Sequence, residues 1–277
     1  MKEYPLPGVT VRKVKEAREV THPFYTGPGF AASQTEFRMS VAGVGDYYAA
    51  NGNSIEFSPE AGADHGWVKL YLNGQVLVAL LHQRKIINFH ASSFIFNGRG
   101  IMVLGETGAG KSSLTVAFTL KGAGFLSDDL TPVIFRDDST YLWPLGREVK
   151  LRDNTIGELK ISDKRLKDAE TGTGKRYLHM EQAKAEDHPL DVIIKIEVGD
   201  CPQPEFYDLN PADKFSYLRS EICSWEILAG MPETEADYLW QLVRIIEKVH
   251  FVKVVRPADI RLAEMHEAVR EYLQRES

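Results

Sequence analysis

Cysteine is nearly absent from this chain: 277 residues contain only Cys201 and Cys223. Two thiols without metal-ligand spacing make neither a disulfide framework nor a zinc site. They read as ordinary reduced thiols. The sequence also lacks any apolar run long enough to span a bilayer. Met1-Lys2-Glu3-Tyr4-Pro5 lacks the pattern of a secretory leader, so a cytoplasmic protein with no membrane partner is expected. There is no surplus of positive charge either. The net charge is −6, from 33 Lys and Arg against 39 Asp and Glu, and general nucleic-acid binding is not expected. Internal repeats and low-complexity segments are missing as well. What remains is an ordinary globular composition, 43% hydrophobic and 26% charged. The length suits one large domain or two small ones.

Against that plain background stands Gly105-Glu106-Thr107-Gly108-Ala109-Gly110-Lys111-Ser112. It fits G-x-x-x-x-G-K-[ST], the Walker A loop of nucleotide-using proteins. Glycines let the backbone curl so that several N–H groups converge on phosphate oxygens. The lysine adds a point charge for the outer phosphates, and the serine hydroxyl is suited to Mg²⁺. Gly100 to Leu104 reads as a strand entering the loop, and Ser113 to Leu120 as a helix leaving it. That helix presents its N-terminus to the phosphates.

The flanking sequence divides into a β-rich N-terminal region, residues 1–88, and a loop-containing domain, residues 89–277. The first thirty or so residues, rich in Pro, Gly and charge, are expected on the surface. Ser54-Ile55-Glu56-Phe57 and Trp67-Val68-Lys69-Leu70-Tyr71 alternate like strands. A helix follows Asn73-Gly74, carrying Val76, Leu77, Leu80, Leu81 and Arg84. Asn88 to Phe96 reads as a strand. Asn97-Gly98 is a type I′ hairpin signal, so the strand that feeds the loop is expected to pair antiparallel with its predecessor. The sheet is then mixed, unlike a plain doubly wound one. Asp191 to Val198 reads as a central strand. Asn210-Pro211 starts a helix carrying Phe215, Leu218, Ile222, Trp225 and Leu228. Leu239 to Val249 gives a second helix, Phe251 to Val255 a strand, and Ile260 to Leu273 a last amphipathic helix. Their apolar stripes read as core.

Chemistry gathers around the loop. Asp128-Asp129 follow Lys111 after one helix and one short apolar strand. Phosphoryl transfer needs an acid to help hold Mg²⁺ and often another to orient or deprotonate the attacking hydroxyl. His90, one hairpin before the loop, suits contact with a phosphate or with the acids, since an imidazole can both donate and accept a proton. Arg147, Lys150, Arg152, Lys175 and Arg176 lie in loop-rich segments downstream. Gly172-Thr173-Gly174-Lys175-Arg176 has the make-up of a glycine hinge carrying cations, a pattern that a solvated loop also satisfies.

The order His90-Ala91-Ser92, hairpin, Gly105 to Ser113, helix, Lys121-Gly122, Leu126-Ser127-Asp128-Asp129 resembles the catalytic domain of HPr kinase/phosphorylase. That family shares a fold with the ATP-dependent phosphoenolpyruvate carboxykinases. The resemblance covers about forty residues. It implies an α/β phosphate-loop fold with a mixed sheet, preceded by the β-rich region and followed by C-terminal helices. It also implies ATP- and Mg²⁺-dependent transfer of phosphate to a serine or similar hydroxyl of a protein, peptide or small acceptor. Under it Lys111 holds the β- and γ-phosphates, and Gly105 to Ser113 bind the nucleotide. Ser112 ligates the metal, Asp128 is the general base, and Asp129 supports the metal or the base. His90 takes the place of the family's histidine. Relatives are often oligomeric. The second signature of the bifunctional enzymes, Glu-Ile-Arg-Gly-x-Gly-Ile, is missing; Val149 to Gly157 is the nearest segment and lacks the glutamate and the glycine pair. Nor does the N-terminal region look like their separate N-terminal domain. The chain therefore resembles the divergent single-domain relatives, and neither HPr as substrate nor a reverse phosphorylase reaction follows.

Two other readings fit the loop. One is a conventional phosphate-loop ATPase or GTPase whose metal acid is Asp200, at the end of the Val192–Val198 run. The other is a nucleotide-binding regulator without turnover.

Overall fold

A computed structural model describes residues 4–169, 174–183 and 188–276. The chain divides into two compact units. The first comprises the described residues of Met1–Asn88 together with Ile222–Gln241, and the second comprises those of Phe89–Glu221 and Leu242–Ser277. Residues 222–241, which the sequence alone places with the second domain, thus pack with the first.

The first unit is a six-stranded sheet of β1 (Thr10–Lys13), β2 (Tyr25–Gly27), β3 (Phe30–Ala32), β4 (Glu36–Val41), β5 (Gly45–Ala50) and β6 (Ser54–Pro59). Its order is β1-β6-β5-β4-β3-β2, with only β1 and β6 parallel. Helix α1 (His65–Asn73) covers Trp67 to Tyr71, which the alternation assigned to a strand. Asp64 decides the matter, because its carboxylate accepts the Gly66 and Trp67 N–H groups and caps a helix. Helix α2 (Gln75–Gln83) buries Val76 through His82 and packs on β4 and β5.

His82 is the buried histidine of this unit. Its Nε2 lies 3.0 Å from the Cys223 carbonyl and its Nδ1 lies 2.9 Å from the Tyr238 hydroxyl. Burial pushes its pKa down to about 4. The unfolded chain therefore binds the extra proton between about pH 6.5 and 4, and stability falls as pH drops through that window. A shift of this size corresponds to about 3 kcal/mol. We expect the acid limb of a urea-midpoint curve to flatten in His82→Gln. An unchanged limb would assign the acid sensitivity to another group.

The second unit contains β7 (Asn88–Phe89), β8 (Ser92–Phe96), β9 (Arg99–Gly105), α3 (Lys111–Leu120), β10 (Gly124–Ser127), β11 (Thr131–Arg136), β12 (Ser139–Leu142), β13 (Glu148–Arg152) and α4 (Asp153–Glu158). It continues through β14 (Leu166–Asp168), β15 (Lys175–His179), β16 (His188–Val198), β17 (Glu205–Asp208) and α5 (Pro211–Ser220). Helix α6 (Pro232–Lys248) begins in the first unit and ends in the second, where β18 (His250–Arg256) and α7 (Leu262–Arg275) complete the described chain. The main sheet is mixed. β9, β16 and β18 run parallel, while β8 pairs antiparallel with both β9 and β10. Asn97 and Gly98 make the β8–β9 turn, with φ of 51° and 79°, as a type I′ hairpin requires. Ile101, Val103, Val192, Ile194, Ile196, Val252 and Val254 form one face of the sheet. They pack with Leu114 and Phe118 of α3 and Met265, Val269 and Leu273 of α7. α5 ends at Ser220, short of the Ile222–Leu228 stretch expected to continue it. Ser224 adopts a left-handed φ of 43°, which breaks the run before a 3₁₀ turn at Trp225–Gly230. A smaller antiparallel sheet, β13-β15-β14, closes over Val116, Phe125, Val149, Leu151, Ile156 and Leu178.

Candidate functional site

The loop between β9 and α3 is shaped by its glycines. Gly105 has φ 153°, and a Cβ there would stand 2.7 Å from the Ile196 carbonyl oxygen of the adjacent strand. Gly110 caps α3 at φ 107°, a conformation that L side chains rarely adopt. The loop and the first turn of α3 open onto a cleft of about 260 Å³. Glu106, Thr107, Gly108, Ala109, Gly110, Lys111, Ser112 and Ser113 all line it. Unpaired N–H groups at a helix start favour an anion there.

Lys111 is buried, and its ammonium donates to the Gly105 carbonyl and, at 3.4 Å, to that of Glu106. Burial lowers its pKa, against the opposing pull of Glu221, Asp129 and Asp128. Arg256, at the end of β18, braces the loop from outside. Its Nε donates to Ala109 O at 2.9 Å and its Nη2 to Gly108 O at 3.4 Å.

β10 delivers the acids. Asp128 accepts hydrogen bonds from the Ser92 and Ser112 hydroxyls and from the Lys150 backbone N–H. Burial, reinforced by the neighbouring Asp129 charge, pushes its pKa up to about 6 despite those donors. Beneath it a chain of buried hydroxyls fixes the strands. Ser127 Oγ is 2.7 Å from Ser93 Oγ and 2.8 Å from Thr131 Oγ1, which donates to Ala91 O at 2.9 Å.

Asp129 turns to φ 65°, a left-handed conformation that Asp tolerates better than most residues. Its carboxylate lines the cleft, 54% exposed, and lies 3.4 Å from His90 Nε2. The His90 hydrogen bond first, then the His90, Lys175 and Lys150 charges, hold its pKa below the usual carboxylate value. His90 is itself placed by its backbone, whose N–H donates to Glu221 O at 2.7 Å. It interrupts the expected continuous strand, falling between β7 and β8.

The sequence-derived residues therefore meet in one place: Glu106 to Ser113, His90 and Asp129 line the cleft, and Asp128, which does not line it, is hydrogen-bonded to Ser112. Asp200 is not among the residues lining it. Lys150, Arg152 and Lys175 line it, whereas Arg176 is held by Asp153 and Asp163 at 3.1 and 2.8 Å. Gly172 and Thr173 lie outside the described residues.

Among the described residues, no three His, Cys, Asp or Glu side chains form a ready metal cluster. Mg²⁺ sites are commonly built from one or two protein oxygens completed by water and phosphate. The Ser112 hydroxyl and the Asp128 carboxylate are hard oxygen donors in contact with each other, and a cation would relieve the repulsion between Asp128 and Asp129. The donor set fits.

In overall fold the chain has a distant likeness to the HPr(Ser) kinase/phosphatase from Coxiella burnetii. The TM-score is 0.37 at 13% sequence identity, over 69% of this chain and 99% of that one. No protein-family model and no curated protein matches the sequence. No helix among the described residues is long and apolar enough to cross a membrane.

The sequence missed a good part of the cleft. Ser92 lies within the quoted His90-Ala91-Ser92 run, yet its bond to Asp128 follows only from the β8–β10 pairing. Ala258, Ile260, Leu262 and Met265 form an apolar lining, with Asn154, Thr155 and Glu158 of α4 nearby. Ser113 Oγ lies 3.0 Å from Thr155 Oγ1, and the Leu262 N–H donates to the Glu158 carboxylate, so α4 joins both. Nothing local in sequence announces these partners.

Proposed function

We propose that the second unit is an ATP- and Mg²⁺-dependent phosphotransferase of the HPr-kinase-like kind. Its acceptor is a hydroxyl of a protein, peptide or small molecule. One observation carries this reading: the glycine loop with Lys111 and the Asp129–His90 pair open onto the same cleft, and Asp128 is hydrogen-bonded to the loop's Ser112. The resemblance in sequence order around these residues agrees with it.

In this reading the loop N–H groups and Lys111 hold the β- and γ-phosphates, and the apolar wall of Ile260, Leu262 and Met265 receives the base. Ser112 and Asp128 would hold Mg²⁺, which supplies charge neutralisation along the phosphates. Asp128 is bonded to Ser112 and does not line the cleft, whereas Asp129 lines it. We therefore assign the acceptor's proton to Asp129, reversing the division that the resemblance implies. The acceptor oxygen forms a bond to the γ-phosphorus while the bond from that phosphorus to the β,γ-bridging oxygen breaks. The hydroxyl proton passes to the Asp129 carboxylate, which His90 orients, and ADP departs with the electron pair. An Asp200-centred ATPase finds less support, because Asp200 does not line the cleft.

The test is nucleotide binding with a fluorescent ATP analogue, followed by transfer from γ-labelled ATP to added acceptors. Lys111→Met should weaken ATP at least ~tenfold, the loss of one strong charge-assisted contact. Unaltered affinity in that variant would remove the loop from the nucleotide site. Binding without transfer to any acceptor would instead favour a regulator.

A further inference from the structure

One wall of the cleft has no task in the scheme above. Lys150, Arg152 and Lys175 line it alongside His90 and Asp129. All three come from the antiparallel pair β13–β15, in which Arg152 stands opposite Lys175 and Lys150 opposite Tyr177. Residues 150 and 152 share a face of β13, because side chains alternate along a strand. The other face carries Val149 and Leu151, buried with Leu178, Val116 and Phe125. The ribbon is thus amphipathic, and Lys150, Arg152 and Lys175 bring three cations to the cleft, which Leu151 also lines.

That arrangement works against the ribbon's own stability. Like charges directly opposite one another on an antiparallel ladder oppose pairing. The location is also telling. Lys150 and Lys175 act electrostatically on Asp129, so they stand near the acids that line the cleft. Lys150 is steered there by the Tyr177 ring, with its ammonium 5.2 Å from the ring centroid.

We propose that Lys150, Arg152 and Lys175 form an anion subsite for the acceptor. The molecule phosphorylated carries a carboxylate or phosphate close to its hydroxyl, and these cations hold that group while the hydroxyl faces Asp129. The inference rests on the phosphotransferase reading for the word acceptor, but the subsite itself does not depend on turnover.

Two arms test it on the full-length protein. In the first, inorganic phosphate and acetate are titrated separately into protein saturated with Mg²⁺ and a non-hydrolysable ATP analogue. At least one anion should bind, and Lys150→Met/Lys175→Met should weaken it at least ~tenfold, as expected for loss of charge-assisted contacts. Affinity for the ATP analogue should be unchanged. In the second arm, transfer from γ-labelled ATP is compared within two pairs: N-acetylserine against its neutral amide, and glycerol 3-phosphate against glycerol. The anionic member of one pair should be preferred at least ~tenfold, and the double variant should lose that preference. The pair that shows the preference tells carboxylate from phosphate.

The proposal is overturned if neither anion binds the nucleotide-loaded protein. It is equally overturned if the lysine changes weaken the ATP analogue as much as the anion, since the cations would then serve the nucleotide. Lysine-dependent anion binding with no transfer in either pair would keep the subsite and count against the phosphotransferase chemistry alone.

Discussion

Asp129→Asn should reduce phosphoryl transfer by ~10²- to 10⁴-fold, the range for removing a positioned general base. ATP should still bind, because the loop, Lys111 and the Ser112–Asp128 contact are untouched. The measurement is a single-turnover reaction with γ-labelled ATP, run alongside a Mg²⁺ titration. Asp128→Asn should behave differently. Asp128 accepts from Ser112 and does not line the cleft, so its loss should move the Mg²⁺ midpoint upward before it limits the chemical step. The two variants separate the two acids by the variable each changes. If Asp128→Asn abolished transfer with an unchanged Mg²⁺ midpoint, while Asp129→Asn stayed active, the base would be Asp128, as the resemblance in sequence implies.

The second large effect concerns stability. Lys195 Nζ donates to Glu221 Oε1 at 2.7 Å, with the two side chains only 6% and 10% exposed. Lys195 lies on β16 opposite Leu104, one residue before the Ile196–Gly105 pairing that carries the loop. It therefore points to the sheet face opposite α3, where its ammonium also sits 5.1 Å from the Tyr217 ring. Removing one partner of such a pair strands a buried charge, and Glu221→Gln or Lys195→Met should each cost about 3–5 kcal/mol. Replacing both, as Lys195→Met/Glu221→Leu, should recover most of that loss, because an apolar pair of similar size removes both desolvation penalties. Chemical denaturation of the single and double variants provides the cycle. Additive losses would show that the two side chains act independently. Glu221 also receives the His90 N–H on its backbone carbonyl, so the single variants are expected to disturb transfer as well as stability.

Local chemistry explains which parts were legible from sequence. Asn97-Gly98 announced the hairpin because both residues accept positive φ, and the observed angles of 51° and 79° follow. Asn210-Pro211 announced α5 in the same way, with the Asn210 side chain accepting from the Asp213 N–H. Trp67 to Tyr71 misled, because a five-residue alternation is too short to outweigh the Asp64 cap. The far end of α5 misled for a related reason: an apolar period continues through Ile222 and Trp225, but the backbone turns at Ser224.

By itself the sequence determined the loop, the helix it opens, the acids on the next strand, and the antiparallel hairpin before them. Each of these rests on contacts within a few residues, where spacing and conformational preference are enough. Tertiary structure alone decided the rest. It separated Asp128 from Asp129, joining one to Ser112 and the other to His90. It brought Arg256 to the loop from 147 residues away, and it turned the cations of β13 and β15 onto one wall of the cleft. Sheet order and register fix those neighbours, and strand pairing joins residues whose separation along the chain carries no local signal.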